Sequence, residues 1–246
     1  IMKYKYGLLG KNISYSFSRK YFTEKFSKLE LSKYSYENFD IPEIEEFPNI
    51  LKSTPHLKGF NVTIPYKESI LPYIDTLSKK AKKIGAINCV KVTKKGTLKG
   101  YNTDCYGFKK SIQPLLQSHN TKALILGTGG ASKAVAFTLE QLNIDFKYVS
   151  RQRTTTNLQY EDLNKAIFQE YTIIINCTPI GTFPTIDACP ALPYEHFSAQ
   201  HIAYDLIYNP EETTFLKIAK EKGATIKNGY DMLVFQAEKA WEIWNK

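Results

Sequence analysis

Residues 122–135 read KALILGTGGASKAV, and the fold follows from the point at which this stretch changes period. Ala123 to Leu126 is a short apolar run of strand length that stops at Gly127. From Ser132 onward, Ala134, Val135, Phe137, Leu139 and Leu142 mark a helix with an apolar face, so the glycines sit on a strand-to-helix turn. Gly127 permits the tight turn. Gly129 and Gly130 let the backbone approach a pyrophosphate, which the free N–H groups of a helix N-terminus stabilise. Ser132 stands where a dinucleotide fingerprint usually has a third glycine or alanine, so the loop alone reads equally as an ordinary βα turn.

The next strand tips the balance. Phe146 to Val149 is a second short apolar run, and it ends in Ser150-Arg151-Gln152-Arg153. An NAD-binding unit carries an acid there for the ribose hydroxyl, whereas this chain offers a hydroxyl and two guanidinium groups. Asp145 is the nearest acid, and it precedes the strand, at the wrong end of the sheet. Guanidinium groups suit a 2′-phosphate through charge-assisted, two-pronged hydrogen bonds, so NADP(H) is expected over NAD. The bland alternative is a polar loop with two solvated arginines.

The chain as a whole narrows the classes. Its 246 residues allow one large or two modest domains, with 43% hydrophobic residues and no apolar run long enough to cross a bilayer. No secretory apolar region or cleavage site is visible near the start, so a cytoplasmic location is expected. Cys89, Cys105, Cys177 and Cys189 lack metal-ligand spacing and no histidine cluster joins them, so reduced thiols and no metal are expected. The net charge of +9 raises the question of nucleic acid. The lysines are scattered, however, without a basic stripe interleaved with aromatics, and a soluble surface that attracts small anions fits better.

Taken in order, residues 3–9, 35–40 and 57–63 read as strands. Two hydroxyls, Ser16 and Ser18, precede a helical pattern and could hold a carboxylate; the plain alternative is an N-cap. The helical region after Asp40 is poorly patterned and is expected to break at Pro48. Asn61, Thr63 and Lys67 cluster where a strand ends and Pro65 can start a helix, the end at which open α/β sheets bind ligands. Residues 85–92 and 97–101 read as a hairpin. Asp104 then opens a helix as its N-cap, and Pro114 ends that helix early. Residues 173–175, 202–206 and 224–226 read as further strands, with a proline-rich loop at 180–200, a surface loop or a lid. In the last helix Met232, Gln236 and Ala240 share one face.

These motifs occur together and in order: residues 10–18 (GKNISYSFS), GFNVTIPYK at 59–67, GAIN at 85–88, NTD at 102–104, GTGGAS at 127–132, NCTPIGTFP at 176–184, DLIYNP at 205–210 and GYDMLVFQAEKAWEIW at 229–244. The set resembles the shikimate dehydrogenase family over nearly the whole chain. The resemblance implies an α/β protein of two domains. An N-terminal α/β substrate-binding domain would span 1–103 plus 231–246, the last helix returning to it. A Rossmann-type, doubly wound parallel-sheet NADP domain would span 104–230. It implies NADPH-dependent, reversible reduction of 3-dehydroshikimate to shikimate, across a cleft between the two lobes.

Residue by residue, the resemblance makes Lys67 the proton donor and Asp104 its hydrogen-bonded partner. Ser16, Ser18 and Tyr208 would hold the substrate carboxylate, and Thr63, Asn88, Asp104 and Gln236 the ring hydroxyls. Gly127, Gly129, Gly130, Ala131, Ser132, Ser150, Arg151 and Gly229 would bind NADP, with Met232 against the nicotinamide; Arg153 is a weaker candidate. Departures from the pattern are Arg19, Cys89, Cys105 and Ser150, where proline, threonine, glycine and asparagine are usual. An NAD-preferring quinate/shikimate dehydrogenase and a non-catalytic NADP-binding protein are the alternatives. A small-molecule substrate is expected, without membrane or nucleic-acid partners, in a monomer or homodimer.

Overall fold

The structure, a computed structural model, describes residues 4–14 and 16–246. Lys3, at the start of the first expected strand, and Tyr15, in the loop between Gly10 and Ser16 (the serine loop), lie outside the described residues. The chain forms two compact units, Ile1–Thr103 with Ala237–Lys246, and Asp104–Gln236.

The first unit runs β1 (Tyr4–Gly10), α1 (Phe17–Lys28), β2 (Tyr34–Asp40), α2 (Phe47–Ser53), β3 (Leu57–Val62), α3 (Tyr66–Ser69), β4 (Thr76–Leu77), α4 (Lys79–Ile84), β5 (Cys89–Val92) and β6 (Leu98–Tyr101). Its strands form one mixed sheet in the order β2-β1-β3-β5-β6-β4. β1 is parallel to β2 and β3, while β5 is antiparallel to β3 and β6. Because successive strand residues face opposite ways, the sheet buries two layers. One holds Tyr6, Leu8, Phe22, Tyr36 and Trp244, and the other Leu9, Phe39, Phe60, Val62 and Val90.

The second unit runs α5 (Asp104–Ile112), β7 (Lys122–Leu126), α6 (Gly130–Gln141), β8 (Asp145–Val149), α7 (Lys165–Glu170), β9 (Ile173–Asn176), β10 (Ile202–Asp205), α8 (Thr214–Glu221) and β11 (Thr225–Lys227), and opens α9 (Tyr230–Asn245). The strands form a sheet in the order β11-β10-β9-β7-β8, and every neighbouring pair is parallel. Ala123 to Leu126 and Ile173 to Ile175 are buried on both faces, the near-continuous apolar run expected of strands covered on two sides.

Several boundaries differ from the sequence reading for local reasons. Pro48 does not break a helix; it sits in the first turn of α2, where its missing N–H has no partner to lose. Residues 85–88 are not strand. Gly85 takes a left-handed φ of 72° as the C-cap of α4, whose N-cap Ser78 accepts from the Ala81 N–H at 3.2 Å. Asp104 is the first helical residue of α5 rather than its N-cap. Pro65 is the N-cap of α3, and that helix is only four residues long.

Candidate active site

In the first sheet, β2 lies on one side of β1 and β3 on the other, a switch point whose crevice opens beyond the carboxyl ends of β1 and β3. The register brings other segments to the same edge. Cys89 at the start of β5 lies opposite Asn61 near the end of β3, and Tyr101 at the end of β6 lies opposite Cys89. The serine loop after Gly10, residues 63–67, Asn88 and Thr103 therefore share one sheet edge.

Local bonds fix each segment. The Asp40 carboxylate accepts from the N–H groups of Asn12 and Ile13 at 2.8 and 3.0 Å, and Asn38 donates to the Ile13 carbonyl at 2.9 Å. Ser16 occupies the N-cap position of α1 but makes no side-chain cap bond, and Ser18 is buried in the first turn of that helix. Thr63 donates its N–H to the Leu9 carbonyl at 2.9 Å. Lys67 is half-buried in α3, and its carbonyl accepts from the Ile87 N–H at 2.9 Å, tying α3 to the segment before β5. The Asn88 side chain grips Thr103. Its Oδ1 accepts from the Thr103 N–H at 2.6 Å, and its Nδ2 donates to Oγ1 at 2.9 Å.

Asp104, the next residue, is buried and opens the second unit. Gln236 is buried too, its Nε2 donating to the Leu233 carbonyl at 2.9 Å, and Tyr208 is half-buried after β10. Met232 is packed among Phe108, Ile112 and Tyr204 in the second unit's core. Gly229 lies so close to Leu206 that an added Cβ would fall 2.0 Å from its carbonyl oxygen.

The second sheet has its own switch point, between β7 and β9, and Gly127 lies at the carboxyl end of β7. Gly127 has a φ of 95°, where any other residue is strained. Gly129 is the N-cap of α6 without a side-chain cap bond, and an added Cβ there would meet nothing within 4 Å. The turn is thus an open cradle with helix N–H groups behind it, through Gly130 and Ala131, and a pyrophosphate fits it. Ser132 is fully buried and gives its hydroxyl to the Gly129 carbonyl at 2.6 Å, so its side chain closes the turn from inside.

At the end of β8, the Ser150 hydroxyl donates to the Gln152 carbonyl at 2.7 Å. Arg151 is exposed and makes no ion pair among the described residues. Arg153 is engaged, its Nε on Gln159 at 2.8 Å and its guanidinium 3.8 Å from Asp162. Asp145 opens β8 opposite Lys122, at the far end of the strand from Arg151.

Asp205 opens the DLIYNP stretch at 205–210, and nothing in its sequence context marks a role for it. It is fully buried at the end of β10, with Oδ1 accepting from Asn176 Nδ2 at 3.1 Å and from the Ile207 N–H at 3.0 Å. Its Oδ2 accepts from Thr213 at 2.7 Å, and Thr213 in turn caps α8. Burial pushes the carboxyl up to about 6, against the pull of these three donors. Asp205 thereby pins the segments that follow β9 and β10. Asn61 and Tyr36 are similarly joined in the first unit, at 2.8 Å.

A doubly wound parallel sheet with an open glycine turn at its switch point, carried by a chain whose other sheet gathers hydroxyls, carboxamides and an ammonium, defines a dinucleotide-dependent oxidoreductase of a small polar substrate. Residues 8–90 match the family model described as shikimate dehydrogenase substrate binding domain. The chain is 39% identical to the shikimate dehydrogenase (NADP(+)) of Clostridium botulinum strain Hall, covering 98% of this chain and 96% of the relative. It is 37% identical to that of Methanosphaera stadtmanae, covering 97% and 90%. The solved shikimate 5-dehydrogenase of Thermus thermophilus, in complex with NADP(H) and shikimate, superposes with a TM-score of 0.86 at 32% identity, covering 98% and 93%. The chain belongs to the shikimate dehydrogenase family.

Proposed function

We propose that the chain catalyses the reversible, NADPH-dependent reduction of 3-dehydroshikimate to shikimate. The gathering of the serine loop, Lys67, Asn88 and Thr103 at one sheet edge carries this reading. These groups are what a small carboxylate bearing several ring hydroxyls requires. Bound NADPH supplies the hydride, and the protein positions and protonates. The α6 N-terminus with Gly127, Gly129, Gly130 and Ala131 would hold the pyrophosphate, and Arg151 would pair with the 2′-phosphate.

Lys67 is assigned the proton delivered to the forming alkoxide, and its positive charge stabilises an oxyanion that develops mainly in the transition state. Asp104 is assigned the hydrogen bond that orients the ammonium. Ser16, Ser18 and Tyr208 would bind the carboxylate through neutral donors, while Thr63, Asn88 and Gln236 read the hydroxyls. A substrate lacking one hydroxyl would leave a buried partner unpaired, so discrimination is expected to be strong. No described helix is long and apolar enough to cross a membrane, and the cytoplasm, where free thiols persist, is the compartment this reading assigns.

The test follows the nicotinamide absorbance with shikimate plus NADP, then with quinate and with NAD. Reduction of NADP by shikimate, well above the rates of the other three pairings, is the expected result. A preference for NAD, or for quinate, would replace the proposal with its neighbour.

A further inference from the structure

We infer that Tyr36 is a positioning residue for the substrate-binding edge of the first unit, acting through Asn61. The inference rests on the shikimate reading above. Tyr36 lies on β2 opposite Tyr6 of β1, and Asn61 lies on β3 opposite Leu8 of β1, so one whole strand separates them. Both face the layer formed by Tyr6, Leu8, Phe22, Phe26, Ala237 and Trp244. In a layer this apolar, a phenylalanine would pack as well as a tyrosine. A buried hydroxyl and a buried carboxamide cost free energy there unless each satisfies the other.

They do satisfy each other. The Tyr36 hydroxyl donates to Asn61 Oδ1 at 2.8 Å, and Asn61 Nδ2 donates to the Asn88 carbonyl at 3.1 Å. The carboxamide is thereby held in one orientation, and the main chain of Asn88 is fixed where its side chain grips Thr103. The ring itself is stacked on Phe22, with centroids 4.7 Å apart and planes 12° from parallel. One rigid phenol thus sets the relative placement of the end of β3 and the segment that leads into β5.

Tyr36→Phe keeps the ring and its stacking and removes the hydroxyl. The expected result is a rise of about tenfold in KM for shikimate, with KM for NADP within about twofold and a loss of only a few degrees in Tm. An unchanged KM for shikimate, or equal rises for both substrates, overturns the assignment. Combining it with Asn61→Leu is expected to give a KM within about twofold of Asn61→Leu alone, because the two act on one unit. Multiplication of the two effects overturns the route through Asn61. If Tyr36→Phe is recovered poorly, Asn61→Leu is expected to show the same split between the two KM values, and its absence counts equally against the inference. Wild-type protein assayed alongside separates the claims. No turnover of shikimate by wild type overturns the function, whereas normal turnover with an indifferent Tyr36→Phe overturns only the positioning role.

Discussion

An ammonium and a guanidinium divide the proposed chemistry. Lys67→Ala removes the proton donor and leaves the glycine turn intact, so kcat is expected to fall by about a hundredfold or more while NADP affinity stays within about twofold. Near-normal turnover would remove the assignment. Arg151→Ala is expected to raise KM for NADPH about tenfold or more and to leave KM for NADH nearly unchanged, since only the former carries a 2′-phosphate. Equal effects on both cofactors would contradict the pairing. Lys67 and Arg151 could be nominated from the sequence, Arg151 because it follows a short strand after the glycine turn and Lys67 because the family resemblance singles it out. Tyr36 and Asp205 could not. Their partners Asn61 and Asn176 lie 25 and 29 residues away, and only the register of neighbouring strands brings them within reach.

At the scale of elements, most strands could be placed from the sequence, most plainly β7 and β9, whose apolar residues are covered on both faces. Short elements were harder to read. β4 is two residues long, and α4 buries only Ala81 and Ile84, too little to mark a period. Close approach of helices leaves no pattern at all. α5 and α9 approach so closely at Gly107 that an added Cβ would lie 2.4 Å from the Met232 carbonyl oxygen. Gly107→Ala is therefore expected to destabilise the protein by about 2 kcal/mol or more, read from the denaturant midpoint. Gly129→Ala is the contrasting case. Open space there predicts a stability change within about 0.5 kcal/mol but a clear loss of NADP affinity. A variant that binds NADP normally would contradict the cradle.

Across the whole molecule, two buried groups tie stability to pH in opposite directions. Burial holds Asp205 at about 6 against 3.8 for an exposed carboxyl, so the folded chain binds this proton more tightly than the unfolded one. Its contribution is full below pH 3.8 and is lost as pH rises through about 6. Burial pushes the His201 imidazole down, so that residue's contribution is lost instead as pH falls. A single stability curve mixes the two; the difference between wild type and Asp205→Asn isolates one. The variant is expected to gain on wild type by on the order of 2–3 kcal/mol between about pH 4 and about pH 7. A difference independent of pH would show that the carboxyl titrates normally.

Hydride delivery from NADPH to a ring ketone can be followed by isotope transfer. Protein incubated with 3-dehydroshikimate and NADPH deuterated at the transferable position is expected to yield shikimate carrying one deuterium, on the carbon that bore the ketone. Product without that deuterium, or no product under conditions in which NADPH binds, would contradict it.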